Sequence, residues 1–110
     1  MLNGKTAWVT GASRGLGRAI ARQLAGQGCR VALIARDSEA LRALAAELGG
    51  SASRAFPADL ADREQVLRLA SEASAWAPPD VLVNARGWIL HVHSSSDSSC
   101  LALLSQPRNR

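Results

Sequence analysis

A glycine-rich turn lies between a strand-like segment and a helix-like segment near the start of the chain. The turn reads TGASRGLG over residues 10–17 and follows the short apolar segment Thr6–Val9. After it, Leu16, Ile20 and Leu24 recur at helical spacing. Glycines allow close approach to the backbone, and the free N–H groups and dipole of a helix N-terminus favour an anion. The sequence therefore predicts a phosphate-binding turn, which constrains the fold to one built from strand–turn–helix units.

The rest of the chain repeats this alternation of strand and helix. Further strands are predicted at residues 30–35, 54–56 and 81–85. Asp37 and Asp62 are predicted to begin the second and third helices, with Gln65 completing a capping box. This order predicts an α/β fold, a Rossmann-like parallel sheet with helices on both faces, truncated after the fourth strand. A cofactor is expected beyond the carboxyl ends of strands one and four, where the strand order reverses.

The character of the sequence changes after Ala85. Residues 86–110 carry five serines between positions 94 and 99 and show no further strand–helix rhythm. We therefore predict a Rossmann domain over residues 1–85 and a divergent, disordered tail over residues 86–110. His91 and His93 alternate around Val92, but no third ligand besides Asp97 or Cys100 is near, so no metal site is predicted.

The charge of the chain is positive and unevenly distributed. The 110 residues have a net charge of +4, and residues 1–36 hold six cationic residues and no acidic one. The cations are compatible with a phosphate-rich cofactor, a solvated helix face or a mitochondrial presequence. Nucleic acid is not an expected partner, because the few aromatic residues are not interleaved with the cations. No membrane span is expected, so a cytoplasmic or mitochondrial-matrix location is predicted.

Three short motifs resemble those of one enzyme family. The first motif is the set of glycines Gly11, Gly15 and Gly17 with their spacing. The second is Ala58-Asp59-Leu60, and the third is Leu82-Val83-Asn84-Ala85. In this order, the motifs resemble the first half of a short-chain dehydrogenase/reductase. Residues 9–21, VTGASRGLGRAIA, are similar to the branch that contains 3-oxoacyl-[acyl-carrier-protein] reductases and carbonyl reductases. The resemblance covers residues 1–85.

The resemblance implies a cofactor site with a distinct role for each group of residues. Gly11, Gly15 and Gly17 would open the turn and pass the pyrophosphate. Ser13, Arg14 and Arg36 would face the 2′-phosphate of NADP(H), although Arg36 could instead pair with Asp37 or Glu39 at the surface. The full set of implied cofactor-binding residues is Gly11, Ser13, Arg14, Gly15, Leu16, Gly17, Arg36, Asp59, Leu60, Asn84 and Ala85.

The last strand ends carry the remaining implied roles. Asp59 would accept a hydrogen bond from the adenine amino group, flanked by the Leu60 backbone, or it could only cap a turn. Asn84 would brace the neighbouring strand and, with Ala85, line the cofactor crevice.

The catalytic residues of the family have no counterpart in this chain. In the family's Tyr-x-x-x-Lys pair, the tyrosine donates a proton to the carbonyl oxygen during hydride transfer and the lysine lowers the tyrosine pKa. This chain has no tyrosine and a single lysine, Lys5. The resemblance implies an NADP(H)-dependent reductase of carbonyl or 3-oxoacyl substrates, as in fatty acid biosynthesis, but no catalytic residue is assigned.

Two alternatives to an active enzyme stay open. One is a non-catalytic nucleotide-binding fragment that docks on a full-length homologue or another protein through an exposed edge at strand four. The other is an unstable truncated isoform without function of its own.

Overall fold

The computed structural model describes residues 4–49, 52–86 and 89–94, the last six and Arg86 through their backbone. Its helices are α1 (Gly15–Gly26), α2 (Ser38–Glu47) and α3 (Arg63–Trp76). Its strands are β1 (Thr6–Thr10), β2 (Arg30–Ala35), β3 (Ser53–Pro57), β4 (Val81–Arg86) and β5 (Ile89–Ser94). The first seven elements in chain order are those that the sequence predicts, with ends that differ by one or two residues.

The strands form one sheet in the order β3-β2-β1-β4-β5. Strands β1 to β4 are parallel, and Thr10 lies beside Ile34 of β2 on one side and Asn84 of β4 on the other. The chain order thus reverses between β1 and β4, as predicted. This reversal opens a crevice at the carboxyl edge of the sheet, where parallel α/β folds bind ligands.

The two faces of the sheet bury different halves of the core. On one face, α1 and α2 cover alternate strand residues such as Val9 and Leu33. On the other face, α3 covers Trp8, Ile34 and Phe56. Trp8 is held there by a buried hydrogen bond that its Nε1–H donates to the Ala77 carbonyl oxygen, 3.0 Å away. The prediction of helices on both faces is confirmed.

The structure corrects the prediction for the first part of the tail. The parallel sheet ends at β4, as expected, but Ile89–Ser94 then forms β5, which pairs antiparallel with β4 from Arg86↔Ile89 to Val81↔Ser94. An antiparallel partner needs only a short reversal of the chain, whereas a parallel one needs a long crossover. Residues 89–94 therefore extend the sheet rather than forming a tail; the rest of the predicted tail, residues 95–110, lies outside the described residues, as do the side chains of His91 and His93.

The same strand changes which sheet edge is open. Strand β4 lies between β1 and β5, so the prediction that strand four forms an exposed edge is wrong, and the edges are β3 and β5. Among residues with described side chains, Leu67 is the large hydrophobic residue classed as exposed, at 60%. The helices thus cover most of the apolar strand surface in this part of the chain.

Candidate functional site

The glycine turn packs directly against the end of β4. Gly11 has a φ of +66° and Gly15 a φ of +61°, both in the left-handed region that favours glycine. A Cβ atom on Gly11 would overlap the carbonyl oxygen of Ala85. Gly11 and Ala85, both predicted site residues, are therefore brought into contact at the carboxyl edge.

Gly17 draws α1 close to this turn, whereas Gly15 leaves its backbone open. A Cβ atom on Gly17 would overlap the carbonyl oxygen of Gly11 and lie 2.7 Å from its carbonyl carbon. At Gly15 an added Cβ would meet nothing within 4 Å. The turn therefore uses two glycines for tight backbone packing and presents an accessible backbone at the third, which suits a bound phosphate.

The N-terminus of α1 differs from those of the other two described helices. Its N-cap residue, Arg14, makes no side-chain capping hydrogen bond, and its first turn contains no acidic residue. In contrast, the carboxylates of Asp37 and Asp62 accept hydrogen bonds from backbone N–H groups of α2 and α3, whose first turns each contain a glutamate. The first turn of α1 thus keeps its positive end for an anion from outside the helix.

Asn84 is held by a residue to which the sequence analysis gives no role. The Thr10 hydroxyl donates a buried hydrogen bond of 2.7 Å to Oδ1 of Asn84. Both residues are buried, and they lie side by side in the register of β1 and β4. The one sequence signal for this contact is the position of Thr10 at the end of a buried strand.

The predicted phosphate-facing cations are exposed. Arg36 directly follows β2, Arg14 precedes α1, and both are exposed, while Ser13 is half-buried. In the described part of the chain the ion pair is Arg22–Glu47, so Arg36 pairs with neither Asp37 nor Glu39. The Asp37 carboxylate instead accepts a hydrogen bond from the Ala40 N–H at 3.0 Å. The Arg36 guanidinium therefore has no carboxylate partner among the described residues.

Asp59 does form a turn cap. Its Oδ1 accepts a hydrogen bond of 3.0 Å from the Ala61 N–H, and its own N–H donates to Oε1 of Gln65 at 2.8 Å. The bond between the Ala58 N–H and the Ala35 carbonyl oxygen, 2.9 Å, joins this turn to the end of β2. Leu60, the next residue, packs against the core on the α3 face. Asp59 thus caps the turn through Oδ1, which leaves its Oδ2 for other contacts.

The ionisable groups with a shifted pKa lie away from the carboxyl edge of the sheet. A hydrogen bond from Arg22 lowers the pKa of Glu47 on the exposed faces of α1 and α2, and the same contact raises the pKa of Arg22. Burial, with the nearby Asp80 carboxylate, raises the pKa of the Cys29 thiol, which directly precedes β2. Within the described ranges, no three His, Cys, Asp or Glu residues are grouped to hold a metal ion, and no helix is long and apolar enough to cross a membrane.

A family profile decides the classification. The profile described as short chain dehydrogenase matches residues 5–102. The chain belongs to the short-chain dehydrogenase family. The match continues past Ala85 to residue 102, although the three motifs that resemble the family all lie within residues 1–85.

Known members of the short-chain dehydrogenase family are similar to this chain over part of their length. Galactitol 2-dehydrogenase (L-tagatose-forming) of Cereibacter sphaeroides is 40% identical over 97 residues, which are 88% of this chain and 38% of that enzyme. The chain therefore spans less than half the length of this curated relative.

Solved structures of the family superimpose on the same region. A metagenomic short-chain oxidoreductase in complex with NADP shares 42% identity at a TM-score of 0.68, covering 74% of this chain and 38% of that one. L-Sorbose reductase of Gluconobacter frateurii, complexed with NADPH and L-sorbose, shares 31% identity at a TM-score of 0.72, covering 78% and 34%. The Rossmann-like fold is therefore that of the N-terminal part of this family.

Proposed function

We propose that this chain binds a dinucleotide at the carboxyl edge of its sheet. The observation that carries the proposal is the N-terminus of α1, which lacks both a side-chain cap and an acidic residue in its first turn. The open backbone at Gly15 lies at this helix end, which suits a pyrophosphate. Gly11, Gly17, Asn84 and Ala85 would form the crevice, with Leu16 in the first turn of α1.

We further propose that the preferred nucleotide is NADP(H) rather than NAD(H). Arg36 follows β2 at the position where a carboxylate would favour the free ribose hydroxyl of NAD. Its guanidinium is exposed and has no carboxylate partner among the described residues, so it is available to a 2′-phosphate together with Ser13 and Arg14. NADP and NADPH in the two solved relatives support this choice.

The 110 residues are proposed to hold the nucleotide without turning it over. The reaction of the family needs a proton donor beside the substrate carbonyl, and the sequence has no tyrosine. Its single lysine, Lys5, directly precedes β1, at the opposite edge of the sheet from the glycine turn. No residue of the chain is therefore assigned to catalysis.

The substrate class of a protein of the relatives' full length that contains this sequence is a further proposal. The sequence motifs favour carbonyl or 3-oxoacyl compounds, whereas the names of two relatives specify the ketoses L-tagatose and L-sorbose. Both classes present a carbonyl group to a hydride donor. Docking of another protein stays a second proposal, now at the edges β3 or β5, and the predicted cytoplasmic or mitochondrial-matrix location stays a prediction.

Thermal unfolding followed by tryptophan fluorescence, with and without nucleotide, tests the cofactor proposal. NADPH at 100 times its Kd should stabilise the folded chain by about 2.7 kcal/mol, and NADH at the same concentration by less. The variant Arg36→Ala should lose about tenfold in NADPH affinity, since a charge-assisted hydrogen bond is removed, and should bind NADH as before. Arg42→Ala, which removes another exposed arginine from α2, is the matched control.

Three results would each contradict part of the proposal. A cooperative transition that neither nucleotide shifts would mean that the glycine turn binds no dinucleotide. The absence of any cooperative transition would instead favour the unstable truncated product. Oxidation of added NADPH in the presence of a 3-oxoacyl thioester or L-sorbose would overturn the proposed lack of turnover.

A further inference from the structure

Resting on the proposed function, we propose that Gln65 is a positioning residue for adenine recognition. It lies in the first turn of α3, outside the three sequence motifs that resemble the family. It contacts Asp59, the residue expected to meet the adenine amino group. Its two amide atoms join the turn after β3 to the start of α3. The inference is that this connection determines where the Asp59 carboxylate points.

The geometry of Gln65 uses both ends of its amide group. Its Oε1 accepts a hydrogen bond of 2.8 Å from the Asp59 N–H, and its Nε2 donates one of 3.2 Å to Oδ2 of Asp62. Asp62 is the N-cap of α3, and its Oδ1 accepts from the Glu64 and Gln65 N–H groups. Gln65 thus ties the Asp59 turn to the rigid end of a helix.

Asp59 is fixed at three of its four polar positions. Gln65 holds its N–H, the Ala61 N–H donates to its Oδ1, and the Asp62 N–H donates to its carbonyl oxygen at 3.0 Å. Its Oδ2 has no hydrogen-bond partner among the described residues and Asp59 is half-buried. Oδ2 is therefore the acceptor left for an exocyclic amino group, and its direction follows from the other three contacts.

The cap of α3 does not require Gln65. Asp62 already accepts the first-turn N–H groups, so replacing the glutamine leaves the helix N-cap in place. A residue without an amide group removes the bond from the Asp59 N–H and the bond from Nε2 to Oδ2 of Asp62, and so disconnects the Asp59 turn from the helix end. The variant Gln65→Met keeps the length and helix propensity of the side chain and deletes only its polar atoms.

The test compares two nucleotides that differ in the base. NADPH carries adenine, whose amino group donates to a carboxylate; reduced nicotinamide hypoxanthine dinucleotide phosphate carries an oxo group at that position, which accepts instead. The parent chain should bind NADPH at least about tenfold more tightly, the value expected for a hydrogen bond to a charged group. In Gln65→Met the ratio of the two dissociation constants should fall close to parity.

Gln23→Met is the control, because it makes the same substitution at an exposed position of α1, and it should keep the parent ratio. A Gln65→Met chain that binds both nucleotides with the parent ratio would overturn this inference and leave the proposed function standing. A parent chain that binds neither nucleotide would overturn the proposed function and the inference with it. If Gln65→Met unfolds at the assay temperature, Gln65→Ala and a lower temperature provide the same ratio, and failure of both to fold would show that Gln65 serves stability instead.

Discussion

At the scale of single residues, Gly17 sets the distance between α1 and the glycine turn. Its Cβ position is occupied by the backbone of Gly11, which cannot move away as a flexible side chain could. We predict that Gly17→Ala lowers the free energy of unfolding by about 3 kcal/mol, the upper end of the usual cost of overpacking. Denaturant unfolding of the chain measures this value, and nucleotide affinity should fall as well because the helix end is displaced.

Gly26→Ala is the matched control for this prediction. Gly26 is the last residue of the same helix, and an added Cβ there meets nothing within 4 Å. The alanine should be neutral or stabilising by up to about 1 kcal/mol, since it restricts the unfolded chain. Equal effects of the two substitutions would show that the close contact between Gly17 and Gly11 does not constrain the turn.

At the scale of elements, an exposed ion pair joins α1 to α2. Arg22 Nε lies 2.7 Å from Glu47 Oε2, and Arg22 Nη2 lies 3.1 Å from Oε1. The hydrogen bond from Arg22 holds the pKa of Glu47 below its usual range. The pair therefore stabilises the fold at neutral pH, and that contribution is lost as the pH falls through the folded-state pKa of Glu47.

The expected outcome is a pH-dependent difference between the parent chain and Glu47→Gln. The variant should have the lower Tm at neutral pH, by a small amount because the pair is solvated, and the difference should vanish in acid. Thermal unfolding across the acidic range measures it, with Glu72→Gln on α3 as a control that forms no described ion pair. A Tm difference that stays constant with pH would contradict the assigned role of the ion pair.

Local chemistry explains which elements could be predicted from the sequence. Asp37 and Asp62 cap α2 and α3 as their residue types and positions indicate. Gln65 was predicted to complete a capping box, but its oxygen accepts from the Asp59 N–H instead of from Asp62, a contact that depends on how the preceding turn folds. Strand β5 was not predicted, because the serines from position 94 onward indicate a tail although residues 91–93 alternate around Val92. Its pairing with β4 is a tertiary contact that the local sequence does not specify.

At the scale of the whole molecule, the order of the first four strands followed from the alternation of strand and helix, because right-handed crossovers leave few arrangements. The alternation of strand and helix does not predict the fifth strand, which extends the sheet beyond β4. There Leu82 and Val83 are buried, and β5 runs alongside them. We therefore expect the stability of the chain to depend on the pairing of β5 with β4.

Two shortened chains test that dependence. A chain ending at Arg86 removes β5 and exposes the backbone donors and acceptors of β4, so it should unfold at a lower temperature and associate with other copies through the open edge. A chain ending at Ser94 keeps β5 and is the matched control; it should retain the Tm of the full chain. Thermal unfolding and light scattering after size-exclusion chromatography measure both effects. If the chain ending at Arg86 is as stable and as monomeric as its control, β5 contributes nothing to the fold, and residues 86–94 behave as the disordered tail that their composition first suggested.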